Sequence, residues 1–200
     1  MKKLFLLVTL GVFLCAGSAI ATPVTPTDWD GVTGLTLLMG PTTANFLDGS
    51  DNDIGDIKNE VWVPCSAGNL YYYVHEVTPG VDNVSEIATG FPVIGFTGTA
   101  GYSFTQAIAA GGGFSIELDP DNSLDWDWSI NSSGYWDSGE SITLFFVSTV
   151  EPGMGTYNLQ NMSQGTAESY APVPEPATML LLGSGLFGLA VLGRKKFFKK

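Results

Sequence analysis

Between Thr22 and Val173 the chain holds one basic side chain, Lys58, against nineteen acids. A stretch of 152 residues with a formal charge of −18 cannot hold itself together through ion pairs. Burial of apolar and aromatic side chains has to drive its folding. Aromatics make up 12% of the chain, too many for an acidic disordered segment. The same charge excludes nucleic acid as a partner, because phosphate binding needs cations that displace counterions. Two cysteines, Cys15 and Cys65, are too few for a disulfide scaffold. The single His75 excludes a zinc-protease helix, which needs two ligand histidines one turn apart.

The middle of the chain reads as all-β. From Glu60 onward, short runs of β-branched and aromatic residues are broken by Gly, Asn, Asp and Pro. Strands are expected at 61–66, 70–77, 92–98, 113–118, 124–130, 141–150 and 155–162, with an edge strand after 163. In 124–130 the alternation is clean: Leu124, Trp126, Trp128 and Ile130 share one face, and Asp125, Asp127 and Ser129 the other. In 70–77 both faces are half apolar, as in a central strand. A single helical turn near 106–110 should stop at Gly111-Gly112-Gly113. Residues 22–27 read as a Pro/Thr lead-in and 48–56 as a polar loop. The expected fold is a single β-sandwich, jelly-roll or immunoglobulin-like, over residues 22–170.

The two ends carry transport information. Met1-Lys2-Lys3, an apolar run over 4–15, and small residues Ala19 and Ala21 form a secretory signal peptide, residues 1–21. Signal peptidase is expected to cut after Ala21. Leu14 before Cys15 is too large for a lipoprotein signal. Cys65 is then the sole cysteine of the exported chain; a buried strand residue is expected, a reactive thiol being the alternative. Residues 177–193 are uncharged and mostly apolar. As a helix they would span roughly 25 Å, a short transmembrane segment. Arg194, Lys195 and Lys196 follow as a membrane stop, and the basic tail 194–200 should stay in the cytoplasm. A GPI signal would end on the apolar run instead.

The order Val173-Pro174-Glu175-Pro176-Ala177-Thr178, then an apolar run, then a basic end, closely resembles the PEP-CTERM sorting signal of Gram-negative bacteria. Independently of that likeness, Pro174 and Pro176 lack N–H donors and keep the segment before them extended outside the bilayer. The resemblance implies recognition by exosortase, an integral-membrane transpeptidase-like enzyme that supplies its own catalytic Cys. It implies export, anchoring in the inner membrane before processing near the Pro-Glu-Pro of the Pro-rich motif 171–176, and delivery to the cell surface or extracellular matrix. Family members often accompany exopolysaccharide and biofilm systems, so extracellular polysaccharide is an implied partner. More loosely, residues 138–149 and 155–176 look like the close of many PEP-CTERM ectodomains.

Three chemistries are weighed for the ectodomain. Asp48, Asp51, Asp53 and Asp56 are candidate calcium ligands, and Asp119, Asp121, Asp125 and Asp127 form a second acidic group. The EF-hand order fails, since Gly55 falls one place early, and a solvated acidic turn is the plainer alternative. Tyr135, Trp136 and Asp137 are candidates for carbohydrate binding, a flat aromatic beside a carboxylate in a loop. No nucleophile motif is present, and among nineteen acids close carboxylate pairs arise by chance, so no catalytic residue and no enzyme activity are expected. No cofactor other than calcium is implied. The expected function is an exported surface or matrix protein, structural or adhesive; the alternative is a calcium-assisted carbohydrate-binding module.

Overall fold

A computed structural model describes residues 20–66, 68–129 and 135–172. Most of the expected signal peptide, the sorting motif from Val173, the apolar run 177–193 and the tail with Arg194, Lys195 and Lys196 lie outside the described residues. Among the described residues no helix is long and apolar enough to cross a membrane. The strands are β1 (Thr22–Val24), β2 (Thr27–Asp28), β3 (Leu35–Asp48), β4 (Asp53–Pro64), β5 (Tyr71–Pro79) and β6 (Glu86–Thr89). They continue with β7 (Phe96–Tyr102), β8 (Gly113–Leu118), β9 (Leu124–Ser129), β10 (Ile142–Ser148), β11 (Pro152–Gln160) and β12 (Gln164–Pro172). A 3-10 turn covers Trp29–Gly31, and one short helix, α1, covers Phe104–Ala109.

The chain is mostly β, as its residue pattern requires, but the architecture differs from a two-sheet sandwich. All twelve strands form one mixed sheet in the order β1-β8-β9-β6-β11-β12-β3-β4-β5-β10-β7-β2, curled into a half-barrel. Among the described strands only the β2–β7 pair is parallel. The physical reason lies in β3, whose 14 residues pair along β4 with three register shifts. Each such irregularity bends a strand and increases its twist. On its other side β3 meets β12 only at Gly165↔Asp48 and Thr166↔Leu47. Two halves of the sheet therefore share a narrow seam and fold over toward each other, until β1 and β8 reach β7.

Local differences follow the same logic. β3 is invisible to alternation because nearly all of it is exposed and the cis Gly40-Pro41 peptide interrupts it. The lead-in 22–27 contributes β1 and part of β2, by pairing with β8 and β7. The expected loop 48–56 contracts to a turn, since Asp53 to Asp56 already belong to β4. The helical turn appears as α1, with Ser103 as its N-cap accepting from the Gln106 N–H at 3.3 Å. Asp28 and Asp30 accept from the N–H groups of Phe104 and Thr105, placing acids at the helix N-terminus.

The core fills the space enclosed by the curl. Leu124, Trp126 and Trp128 of β9 are buried and Asp125 and Asp127 are partly exposed, as alternation demands. Phe146 of β10 lies at the centre, with ring centroids of Tyr73 at 5.0 Å, His75 at 6.1 Å and Trp126 at 6.3 Å. Each such fully buried large apolar side chain contributes about 1.5–3 kcal/mol. A smaller cluster, Val74, Phe145 and Val147, lies on the opposite face of β5 and β10 and packs against Trp29, Trp62 and Tyr72.

Candidate functional site

The residues singled out for carbohydrate binding do not form a platform. Tyr135 is exposed, but Trp136 is fully buried. A β-bridge pairs Trp136 with Val84 and turns its ring inward. There it stacks on Trp128 at 6.2 Å and meets Phe114 edge-on at 5.3 Å, while its Nε1 donates to the Glu140 carbonyl at 2.6 Å. Asp137 accepts from the Asn83 N–H at 3.0 Å, so its carboxylate closes a turn contact. Sequence placed these three together in a loop; a single backbone bridge sends the tryptophan to the core.

The candidate calcium ligands are also occupied locally. Asp48 Oδ1 accepts from the N–H groups of Ser50 at 2.8 Å and Asn52 at 2.9 Å, and the Asn52 side chain first, then these backbone bonds, hold its carboxyl below the usual range. Asp53 accepts from Asn45 Nδ2 at 2.6 Å and from the Gly55 N–H at 3.0 Å. Among the described residues no three His, Cys, Asp or Glu side chains are grouped to hold a metal ion, so Asp48, Asp51, Asp53 and Asp56 are not brought together as one ligand set.

The second acidic group is electrostatically tense. Asp125 and Asp127 face outward from β9, and Glu86 of β6 pairs in register with Asp127. Burial, then the charges of Asp119 and Glu86, push Asp125 up to about 7. Glu86 and Asp127 are raised too, mainly by burial. The folded pKa of Asp125 lies above its ordinary value of 3.8, so the folded chain holds an extra proton between the two. Its contribution to stability is fully present below pH 3.8 and is lost as pH rises to about 7. Asp125→Asn should therefore stabilise the fold at pH 8 by about 1–2 kcal/mol after solvent screening, or about 4 °C, and change little at pH 4. Thermal unfolding at the two pH values checks this; an equal effect at both would show that the charge is not the cause.

Sequence reading missed a buried polar cluster inside the curl. His75, Asn59 and Ser169 are each almost wholly buried. His75 Nδ1 lies 3.0 Å from Ser169 Oγ and 3.2 Å from Asn59 Oδ1, and Ser169 Oγ is 2.5 Å from Asn59 Oδ1. On the other side of the ring, Nε2 lies 2.9 Å from the Tyr157 hydroxyl, which donates to the Tyr170 carbonyl at 2.9 Å. Burial holds His75 down to about 3, so the imidazole is neutral at ordinary pH. The arrangement joins β4 and β5 to β11 and β12 across the interior. With His75, Asn59 and Ser169 enclosed, it ties the two halves of the sheet together. Three polar residues from strands far apart in sequence give no local motif that could have announced it.

Cys65, expected in a buried strand, is exposed. It sits in the bend just after β4, with Sγ 3.2 Å from Thr36 Oγ1.

Comparison with known proteins adds one match. Residues 172–196 match the family described as PEP-CTERM protein-sorting motif. No curated protein and no solved structure matches the chain significantly. The motif implies an exported protein, processed by an exosortase and anchored at or sorted to the cell surface.

Proposed function

We propose that this chain, which carries a PEP-CTERM sorting motif over residues 172–196, is a structural or adhesive component of an exopolysaccharide or biofilm matrix, without catalytic activity. The sorting motif is the observation that carries the reading. Signal peptidase removes residues 1–21, the apolar run 177–193 holds the exported chain in the inner membrane, and exosortase then acts near Pro174-Glu175-Pro176. What remains is an acidic half-barrel that folds ahead of the motif and ends at Pro172. Its −18 charge keeps it clear of anionic membrane surfaces once released.

Mass spectrometry of the protein recovered from its native cells tests this. The expected mature chain begins at Thr22 and ends between Val173 and Ala177. Replacing Pro174 and Pro176 by Ala removes the two residues that disfavour helix in the motif, and uncleaved chain ending at Lys200 should then accumulate in the membrane fraction. Recovery of Lys200 in the wild-type surface protein would make the tail a permanent anchor and overturn the processing step.

A further inference from the structure

A groove of about 330 Å³ lies on the outer face of β4, β5 and β10. Trp29 and Trp62 are among its walls, Val74 and Thr143 line it, and Lys58, Glu60 and Glu76 project into it. Its composition follows from strand alternation. Ile57, Asn59 and Val61 of β4 are buried in the interior, so Lys58, Glu60 and Trp62 face out. Register then sets Glu76 beside Lys58, Val74 beside Glu60, and Thr143 beside Glu76. The 3-10 turn brings Trp29 over this surface, its ring 5.1 Å from Phe145, which stacks on Tyr72 at 6.3 Å. Residues distant in sequence thus meet in one partly apolar, partly charged concavity.

The charged groups are already ordered. Lys58 Nζ lies 3.2 Å from Glu76 Oε2 and 3.5 Å from Glu60 Oε1. Trp62 Nε1 donates to Glu60 Oε2 at 2.9 Å. Lys58 and Glu76 keep 44% and 38% of their side-chain surface exposed, so they remain open to a ligand. The hydrogen bond and charge of Glu76 raise the Lys58 ammonium above its usual range and keep it charged. Holding these groups in place beforehand lowers the entropy cost of binding. Lys58 is also the only basic residue between Thr22 and Val173, and it is placed here.

Aromatic walls beside paired donors and acceptors match the two-sided chemistry of a sugar ring. A pyranose offers C–H faces that pack on aromatic planes, and an equatorial rim of hydroxyls that donate to carboxylates and accept from an ammonium. One lysine against two glutamates leaves the groove negative within a strongly acidic ectodomain, which disfavours uronates and other anionic sugars. An amino substituent would instead gain from the glutamates and the tryptophan faces. We propose that this groove binds a hexose unit of a neutral or amino-bearing polysaccharide, with Trp29 and Trp62 packing on the ring and Lys58, Glu60 and Glu76 holding its hydroxyls. The site is separate from the Tyr135–Asp137 loop and needs no calcium. It stands on the ectodomain alone and holds whether or not the tail is cleaved.

The test uses the full-length chain in a detergent without a sugar headgroup. Tryptophan fluorescence and calorimetry follow titration with a neutral hexasaccharide of glucose, a hexasaccharide of glucosamine, and a hexauronate. Saturable binding of the glucose or glucosamine oligomer is expected, with the hexauronate at least tenfold weaker. Trp62→Ala and Trp29→Ala should each weaken binding roughly tenfold or more, and Glu76→Gln about three- to tenfold. Trp62→Phe should restore part of the affinity, which a merely misfolded groove would not. Met162→Ala, fully exposed and outside the groove, should leave binding unchanged. Absence of saturable binding by both uncharged and amino oligomers, preference for the hexauronate, or affinity untouched by Trp62→Ala and Glu76→Gln would each overturn the proposal.

Discussion

Tyr157→Phe is expected to lower the unfolding free energy by about 3 kcal/mol, or roughly 6–12 °C in melting temperature, although it deletes a single oxygen. That oxygen serves two partners, the buried His75 Nε2 and the part-buried Tyr170 carbonyl. His75 cannot turn to water and would bear the cost of burial without that hydrogen bond, and the Tyr170 carbonyl would lose its side-chain donor. His75 adds a pH signature. Its folded pKa of about 3 lies below the ordinary 6.5. The unfolded chain therefore takes up a proton that the folded chain refuses. Stability from this group is complete above pH 6.5 and is lost as pH falls toward 3, by about 1.4 kcal/mol per pH unit. Asp125 acts in the opposite sense over an overlapping window, so the two partly cancel between roughly pH 4 and 6.5. Asp125→Asn should uncover the His75 slope as a steeper loss of stability in acid. Urea unfolding from pH 4 to 8 measures both effects; a Tyr157→Phe variant within about 0.5 kcal/mol of wild type would show that the cluster does not hold the halves together.

Trp126→Ala should cost about 4 kcal/mol, within the range for deleting a large buried aromatic. Trp126 is 1% exposed and reaches across the interior from β9. It meets Phe146 of β10, and its Nε1 donates to the Gly101 carbonyl of β7 at 3.3 Å. Gly101 is itself constrained, because a methyl there would collide with the Thr27 carbonyl and the Phe145 ring. Trp126→Phe should recover about half of the loss, since it keeps one aromatic ring in place but gives up the second ring's volume and the indole hydrogen bond, worth about 1 kcal/mol. Chemical unfolding gives the magnitudes, and near-ultraviolet circular dichroism reports whether the aromatic packing survives. Equal losses for both variants would mean that the hydrogen bond, and not the filled volume, matters there.

Much of the strand content was legible. β5, β8, β9, β10 and β11 lie close to the runs of β-branched and aromatic residues, and the two faces of β9 could be read residue by residue. β3 was not legible, because a long exposed strand with a cis Gly40-Pro41 peptide shows neither alternation nor an apolar run. The loop around Trp136 was misread for a related reason. A loop has no side-chain period, and the bridge to Val84 that buries the ring is a non-local contact. Cys65 went the other way: the strand expected to reach residue 66 ends at Pro64 and leaves the thiol in an exposed bend.

Sequence by itself determined the features written in contiguous residues. These are the sorting motif at 172–196, the acidic middle with its single lysine, and the alternation that makes strands. Tertiary structure alone decided the features made by pairing. β3 connects two would-be layers into one curled sheet, and the curl closes Asn59, His75, Tyr157 and Ser169 into a buried cluster. On the other face, the registry of β4, β5 and β10 sets Lys58 among two glutamates and two tryptophans. Alternation assigns each side chain to one of two faces, but strand register and sheet curvature choose its neighbours, and both are set by contacts between residues far apart along the chain.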